Sequence, residues 1–582
     1  MKRKLCSVLL ALCMVLTLLP VSAMADDGAE ADKSAPAEVP AAETEYVAQI
    51  GATKYKTLQA AIDAVNNNET IELLTDVDNA AGMRIDTKKT FTVDFKNHTY
   101  TVNKPGAGSK NTETNAFQLI KDQNITFKNG TIRLAEDNLI PTLVPNSSNY
   151  SNIRRIIQDY AELTLENMTI DSTNMYGYDL PMSFNNQPVY ITGNTSVILK
   201  DGMRAAFDAD GNWGSPTPYQ RCKVTLDTTG TINGNIELGS GYLDIKNVNA
   251  KGIRFCTSCG AAETTDQSKR ISITGGTFSD LSALDYLAEG ASVTVKLAAD
   301  TTKDVTIPAG ATVTLDLNGK TLTNVSGHTI TNNGNLTVTG SGTVDNISHG
   351  KAALYNNTGA TATLNGGTFT RSAEKGTASP DSANGNSWYT VKNYGTMTIN
   401  SNTTITNTGS YSSAVVNGWY DASKIGTSSE PAHSADAVLT INGGSISGGK
   451  ITVKNDDYGV LKITGGTFTQ PLDGLYCIYN ANVTAISGGN VNGSVGNYNG
   501  AITEANQCKF AISGGTYTSD PTAYVASGAI ARKDGDTQFT VVAKANLTAG
   551  VYTSDPSSAL APGYVSYKNS DNSTYTVYYP VP

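Results

Sequence analysis

The chain has 582 residues, 39% of them apolar and 16% charged, with 42 basic against 52 acidic side chains and a formal net charge of −10. That balance disfavours polyanions as partners: nucleic acid first, and polyuronates unless a cation bridges them. Beyond the extreme N-terminus no run of about 18 apolar residues is present to span a membrane.

In chain order, Lys2-Arg3-Lys4, the apolar run 5–19 and the small-residue site Ala23-Met24-Ala25 read as a signal peptide over residues 1–25. The mature chain is therefore expected outside the cell, secreted or held at its surface. Cleavage removes three positive charges and no negative one, taking the net charge to −13. Residues 26–45, rich in Ala, Pro, Asp and Glu, are expected to form a disordered spacer. Five cysteines remain after cleavage, Cys222, Cys256, Cys259, Cys477 and Cys508, so at least one is unpaired within a monomer. Cys256-Thr257-Ser258-Cys259 reads as a redox or metal half-site or, with no second pair at zinc-like spacing, as a local pair. The ending Tyr578-Tyr579-Pro580-Val581-Pro582 has no apolar tail, and attachment is expected to come from a partner or from wall contact.

Residues 46–285 are expected to hold an N-terminal cap and a first solenoid module. The cap reads as strand 47–51, helix 57–65 and strand 70–74, with Leu58, Ala61, Ile62 and Val65 on one helical face and Thr57 at its start. A solenoid's open end exposes apolar rungs and unpaired strand edges, so a helix across it is the expected closure. Six strands follow, beginning at Ile125, Leu163, Val197, Val224, Leu243 and Ile271. Stacked in that order, their outward charges alternate as Lys128, Glu166, Lys200, Asp227 and Lys246, the pattern of a solvated ion-pair ladder.

The second module, 286–517, is the most regular. Four strands end in a double glycine, at Gly443-Gly444, Gly465-Gly466, Gly488-Gly489 and Gly514-Gly515, with steps of 22, 23 and 26 residues. Between them recurs a hydrophobic-x-Asn tripeptide ending at Asn332, Asn356, Asn393, Asn417, Asn455 and Asn480, with steps of 24, 37, 24, 38 and 25. Two markers on one beat, with inserts accounting for the long steps, imply stacked coils with two parallel sheets that meet at a turn of stacked asparagines. Residues 518–582 are expected to form a β-rich C-terminal cap, or else stub-like joints to something the sequence does not encode, because Gly515-Thr516-Tyr517-Thr518-Ser519-Asp520-Pro521 is echoed 35 residues later by Gly550-Val551-Tyr552-Thr553-Ser554-Asp555-Pro556.

The glycine units, the asparagine tripeptides and the stretch Thr312-Val313-Thr314-Leu315-Asp316-Leu317-Asn318-Gly319-Lys320-Thr321-Leu322 resemble the right-handed parallel β-helix of the pectin-lyase-like superfamily. Within it they resemble secreted β-helix surface proteins of gut clostridia. The resemblance implies an all-β right-handed parallel β-helix solenoid with a short N-terminal capping helix. It does not select a function, since lyases, hydrolases, adhesins and scaffolds share the fold.

Enzymes of that superfamily cut substrate on an outward sheet face with clustered carboxylates. The outward positions of the second module's glycine strands, such as Thr337, Thr363, Thr398 and Thr440, include no carboxylate. If the protein is an enzyme, Glu166, Asp227 and Asp244 of the first module are the candidates. No cofactor is expected. Calcium is suggested only by Asp208-Ala209-Asp210-Gly211-Asn212, which lacks the downstream bidentate glutamate and reads as a turn. All three tryptophans lie at turns or inserts, giving a candidate binding set of Trp213, Trp388, Tyr389, Trp419 and Tyr420. Aromatics on loops over a rigid scaffold suit stacking on sugar rings or anchoring a protein, and equally the covering of an insert's own small core. The expected function is a non-catalytic adhesin or carbohydrate-binding scaffold whose partners are glycans or host or cell-wall surface components. The alternatives are a polysaccharide lyase or glycoside hydrolase, and a spacer without ligand.

Overall fold

The computed structural model describes residues 46–109, 113–144, 149–210, 222–256, 267–372, 389–408, 413–419, 437–471, 475–497 and 509–580. Residues 1–45, read above as signal peptide and spacer, and Trp213, Trp388, Tyr420, Cys259 and Cys508 lie outside them.

At the N-terminal end Leu58–Ala64 is helical. The Thr57 hydroxyl oxygen caps it by accepting from the Ala60 N–H at 3.1 Å. Leu58, Ala61, Ile62 and Val65 are buried, as their shared face requires. Ala48–Ile50 pairs antiparallel with Glu69–Leu73, and Glu69–Leu73 then opens a parallel stack by pairing with Thr90–Asp94.

The chain is an all-β parallel β-helix. In its N-terminal half each coil has three faces, and some strands bend from one face to the next without a break. Lys223–Leu238, for instance, pairs in turn with Val189–Gly193, with Ser196–Ile198 and with Phe207–Ala209. In the regular half the three faces separate into three sheets. One coil runs from Gly459–Ile463 in the glycine sheet, through Thr467–Thr469, to Tyr476–Asn480 in the asparagine sheet, and returns at Val483–Ile486. Each strand pairs parallel with its counterparts one coil before and after.

The third sheet corrects the expectation of two. From Gly342–Asp345 to Asn490–Asn492 its strands are only three or four residues long, each with a single buried apolar side chain: Val344, Phe369, Ile405, Ile446, Phe468 and Val491. One buried residue per strand is too short a run for alternation to register.

The double glycines turn the chain from the glycine sheet into this third sheet. A Cβ on Gly465 would lie 2.6 Å from the Asn442 carbonyl oxygen of the coil below, and Gly466 has φ +106°. The first glycine therefore permits close stacking and the second a left-handed turn. The stacked asparagine turn is present as expected. Nδ2 of each buried asparagine donates to Oδ1 of the next: Asn332 to Asn356 at 2.7 Å, Asn356 to Asn393 at 2.7 Å, Asn393 to Asn417 at 2.8 Å, Asn417 to Asn455 at 2.8 Å and Asn455 to Asn480 at 3.0 Å. Asn480 extends the ladder to Asn497 at 2.8 Å.

At the C-terminal end Gly515–Tyr517 pairs parallel with Asn490–Asn492 and, on its other edge, antiparallel with Phe539–Ala543. The third sheet thus passes from the solenoid into a series of antiparallel strands.

Candidate functional site

In the N-terminal half, the third strand of each coil presents one outward polar side chain flanked by apolar ones, except that Asp159 follows Gln158. The triplets are Phe117-Gln118-Leu119, Ile157-Gln158-Asp159, Met182-Ser183-Phe184, Phe207-Asp208-Ala209, Ile236-Glu237-Leu238 and Ile253-Arg254-Phe255. Parallel register aligns the middle residues, so that Gln118, Gln158, Ser183, Asp208, Glu237 and Arg254 form one row, which Arg84 of Met83–Ile85, opposite Gln118, extends to seven strands. Neighbouring members are ~4.8 Å apart, the strand spacing.

Around Gln118 and Gln158 this row opens into a cleft of about 610 Å³. Tyr160, Tyr176, Tyr178, Asn115, Arg154, Arg155 and Asp179 also line it. Arg155 donates to the Gln158 side-chain oxygen at 3.0 Å and pairs with Asp179 at 3.3 Å. Arg154 lies over the Tyr176 ring, 5.3 Å from its centroid, and Tyr176 in turn contacts Tyr150 at 5.5 Å. Tyr178 is exposed, with the Lys200 ammonium 4.3 Å from its ring centroid.

Farther along the row the environment becomes dry and acidic. Glu237 is fully buried between two guanidiniums: Arg204 lies 2.9 Å from one carboxylate oxygen and Arg254 2.9 Å from the other. These are close ion pairs whose angles fall outside hydrogen-bond geometry. Burial pushes the Glu237 carboxyl above its ordinary range, and both arginines oppose that push. Arg204 also pairs with Asp179 at 3.1 Å, linking the buried acid to the cleft wall. Asp208 is 6% exposed, and one of its oxygens has no partner. Burial raises its carboxyl to about 6 against the opposing pull of Arg155 and a Ser183 hydrogen bond, with Asp210 and Glu237 adding to the rise. Asp159, on the opposite side of its strand, is wholly buried, and burial raises its carboxyl well above the ordinary range although it accepts from the Ala161 N–H at 3.0 Å.

The carboxylates singled out from the sequence lie on another face. Glu166 follows Asp94 and Lys128 in one row, and Thr192 separates it from Asp227. Asp244 sits opposite Thr225 and pairs with Lys223 at 3.2 Å. The expected order of charges is also corrected. Val189–Gly193 and Ser196–Ile198 both stack between Glu162–Asp171 and Lys223–Leu238, but Val189–Gly193 is the one in register with Glu166 and Asp227, so Thr192 takes the place assigned to Lys200. A bulge sets Asn247, not Lys246, opposite Asp227.

Of the aromatic set, Tyr389 is buried, with the Lys392 ammonium 5.5 Å from its ring centroid. Trp419 is half-buried, stacked on Tyr458 at 5.1 Å and met edge-on by Tyr394 at 5.6 Å. Among the described residues no group of three or more His, Cys, Asp or Glu side chains is arranged to hold a metal. Cys222 and Cys477 are free and buried, whereas Cys256 is disulfide-bonded. No helix of the described residues is long and apolar enough to cross a membrane.

The polar row escaped the sequence reading because its members from Gln118 on are 40, 25, 25, 29 and 17 residues apart. Its signal was the repeated apolar-polar-apolar triplet. No protein family, curated protein or solved structure matches the chain, so the site rests on its own chemistry and the fold on its strand registers.

Proposed function

We propose that this is an exported, non-catalytic carbohydrate-binding β-helix protein of the pectin-lyase-like kind, secreted or surface-associated, whose contact site is the cleft at Gln118 and Gln158. The observation that carries this reading is the composition of the cleft: three tyrosines, three side-chain amides and two guanidiniums on a rigid sheet face. Tyrosine faces suit the C–H faces of sugar rings, and amides and guanidiniums suit their hydroxyls. Trp388 and Trp419 remain a second proposed contact for glycans or surface components.

The test is a broad glycan panel against the mature chain, reading bound protein and newly released reducing or unsaturated ends, with and without calcium. Binding without release is expected, with Gln158→Ala and Tyr178→Ala each weakening affinity about tenfold. If no glycan binds, or both variants bind like the parent chain, the reading is wrong. A lyase or hydrolase is the second reading, favoured by Asp208, a carboxyl raised to about 6 in the same row. Released ends that vanish in Asp208→Asn while binding persists would establish it. Against it, Asp208 is 6% exposed and does not line the cleft.

A further inference from the structure

The C-terminal repeats are equivalent in structure as well as in sequence. In the first, Gly515–Tyr517 leads through the short 3₁₀ turn Thr522–Tyr524 to Ala529–Lys533, which pairs antiparallel with Phe539–Ala543. In the second, Gly550–Tyr552 leads through Ser557–Ala559 to Val565–Lys568, which pairs antiparallel with Tyr575–Tyr578. Asp520 accepts from the Thr522 N–H and Asp555 from the Ser557 N–H, both at 2.9 Å. Registers correspond residue for residue: Lys533 faces Phe539 as Lys568 faces Tyr575, and Ile530 faces Val542 as Val565 faces Tyr578.

The two units differ at one edge. Ala529–Lys533 has a second partner, the Gly550–Tyr552 strand of the following repeat, with Arg532 opposite Tyr552 and Lys533 opposite Val551. Tyr552 is buried there with Ile530, Leu547 and Val577, and its hydroxyl donates to the Thr548 carbonyl at 2.9 Å. The equivalent edge of Val565–Lys568 pairs with no strand among the described residues, and Val565, the counterpart of Ile530, is 39% exposed. A third occurrence of the turn, with Asp280 accepting from the Ser282 N–H at 2.9 Å, leads into Leu287–Lys296, which is paired on both edges. Where this turn recurs, the strand after it receives two neighbours; the last one has one among the described residues. An exposed strand edge is a template for another strand.

We infer that Val565–Lys568 is a docking edge for a Gly-x-Tyr-Thr-Ser-Asp-Pro segment carried by a partner chain, preceded by an aliphatic residue five positions before the tyrosine as Leu547 precedes Tyr552. The incoming tyrosine lies opposite Tyr567 and packs on Val565; the residue before it lies opposite Lys568. Because the Thr553 N–H donates to the Ala531 carbonyl at 3.0 Å, the residue in Ala531's place, Ser566, turns its backbone groups to the open edge.

The probe is a fluorescent peptide of residues 546–562, titrated into the full chain by fluorescence anisotropy. Saturable binding is expected, weakened at least tenfold by Tyr552→Ala in the peptide. Ser566→Pro in the chain removes an outward N–H while sparing the pairing with Tyr575–Tyr578, and Val565→Lys blocks the tyrosine's seat. Each is expected to weaken binding tenfold or more with an unchanged melting curve. Absence of binding, or equal binding of a scrambled peptide, overturns the inference. So does a concentration-dependent dimer in sedimentation that Ser566→Pro abolishes, because the edge would then serve a second copy.

Discussion

Asp208 shows how position in a stack, rather than local sequence, sets a side chain's chemistry. A carboxyl whose folded pKa exceeds its unfolded value holds more protons folded than unfolded between about pH 4 and 6, so stability falls as pH rises through that window. Above it the penalty is complete, on the order of 3 kcal/mol for a carboxyl raised to about 6. Asp208→Asn keeps the shape without the charge. It is expected to stabilise the chain by roughly that amount at pH 8 and by almost nothing at pH 4, which urea unfolding at both pH values would show; equal effects at the two would refute the assignment. Gly488 makes the complementary point for backbone. A Cβ there would lie 2.4 Å from the Thr464 carbonyl oxygen, whereas one on Gly528 would meet nothing within 4 Å. Gly488→Ala is expected to cost about 1 to 3 kcal/mol and Gly528→Ala to be neutral or slightly stabilising.

Among the elements, the asparagine ladder is the most cohesive. Asn393 accepts from Asn356 at 2.7 Å and donates to Asn417 at 2.8 Å and to the Val438 carbonyl at 3.0 Å, all inside the coil. Asn393→Ala leaves several buried groups unpaired and is expected to cost on the order of 3 kcal/mol. Asn393→Asp is expected to cost more at pH 7, since it buries a charge and loses the donor, and to approach the alanine variant as pH falls and the carboxyl protonates. Denaturant titrations at pH 7 and pH 4.5 would distinguish the two; an aspartate variant no worse than alanine at pH 7 would speak against the ladder. This ladder was legible from sequence because asparagine returns on a fixed beat and serves one purpose each time. The third sheet, with one apolar residue per short strand, was not, although Phe369 and Phe468 each sit two residues after a double glycine.

A stack of coils in which each touches only its neighbours transmits perturbation over short distances. Hydrogen exchange in Asn393→Ala is therefore expected to quicken in the strands on either side, Leu354–Asn356 and Ser413–Asn417, and to stay unchanged in the helix Leu58–Ala64. Uniform acceleration along the chain would mean that the solenoid unfolds as a single unit. The sequence by itself determined the solenoid, its period, the asparagine turn and the capping helix, because each is a local pattern repeated until chance is excluded. Only the tertiary structure decided which strand stacks on which, and hence the third sheet, the place of Thr192 rather than Lys200 in the charged row, and the polar row from Gln118 to Arg254. Inserts of unequal length move those residues irregularly along the chain, while parallel registration returns them to a common line on the surface.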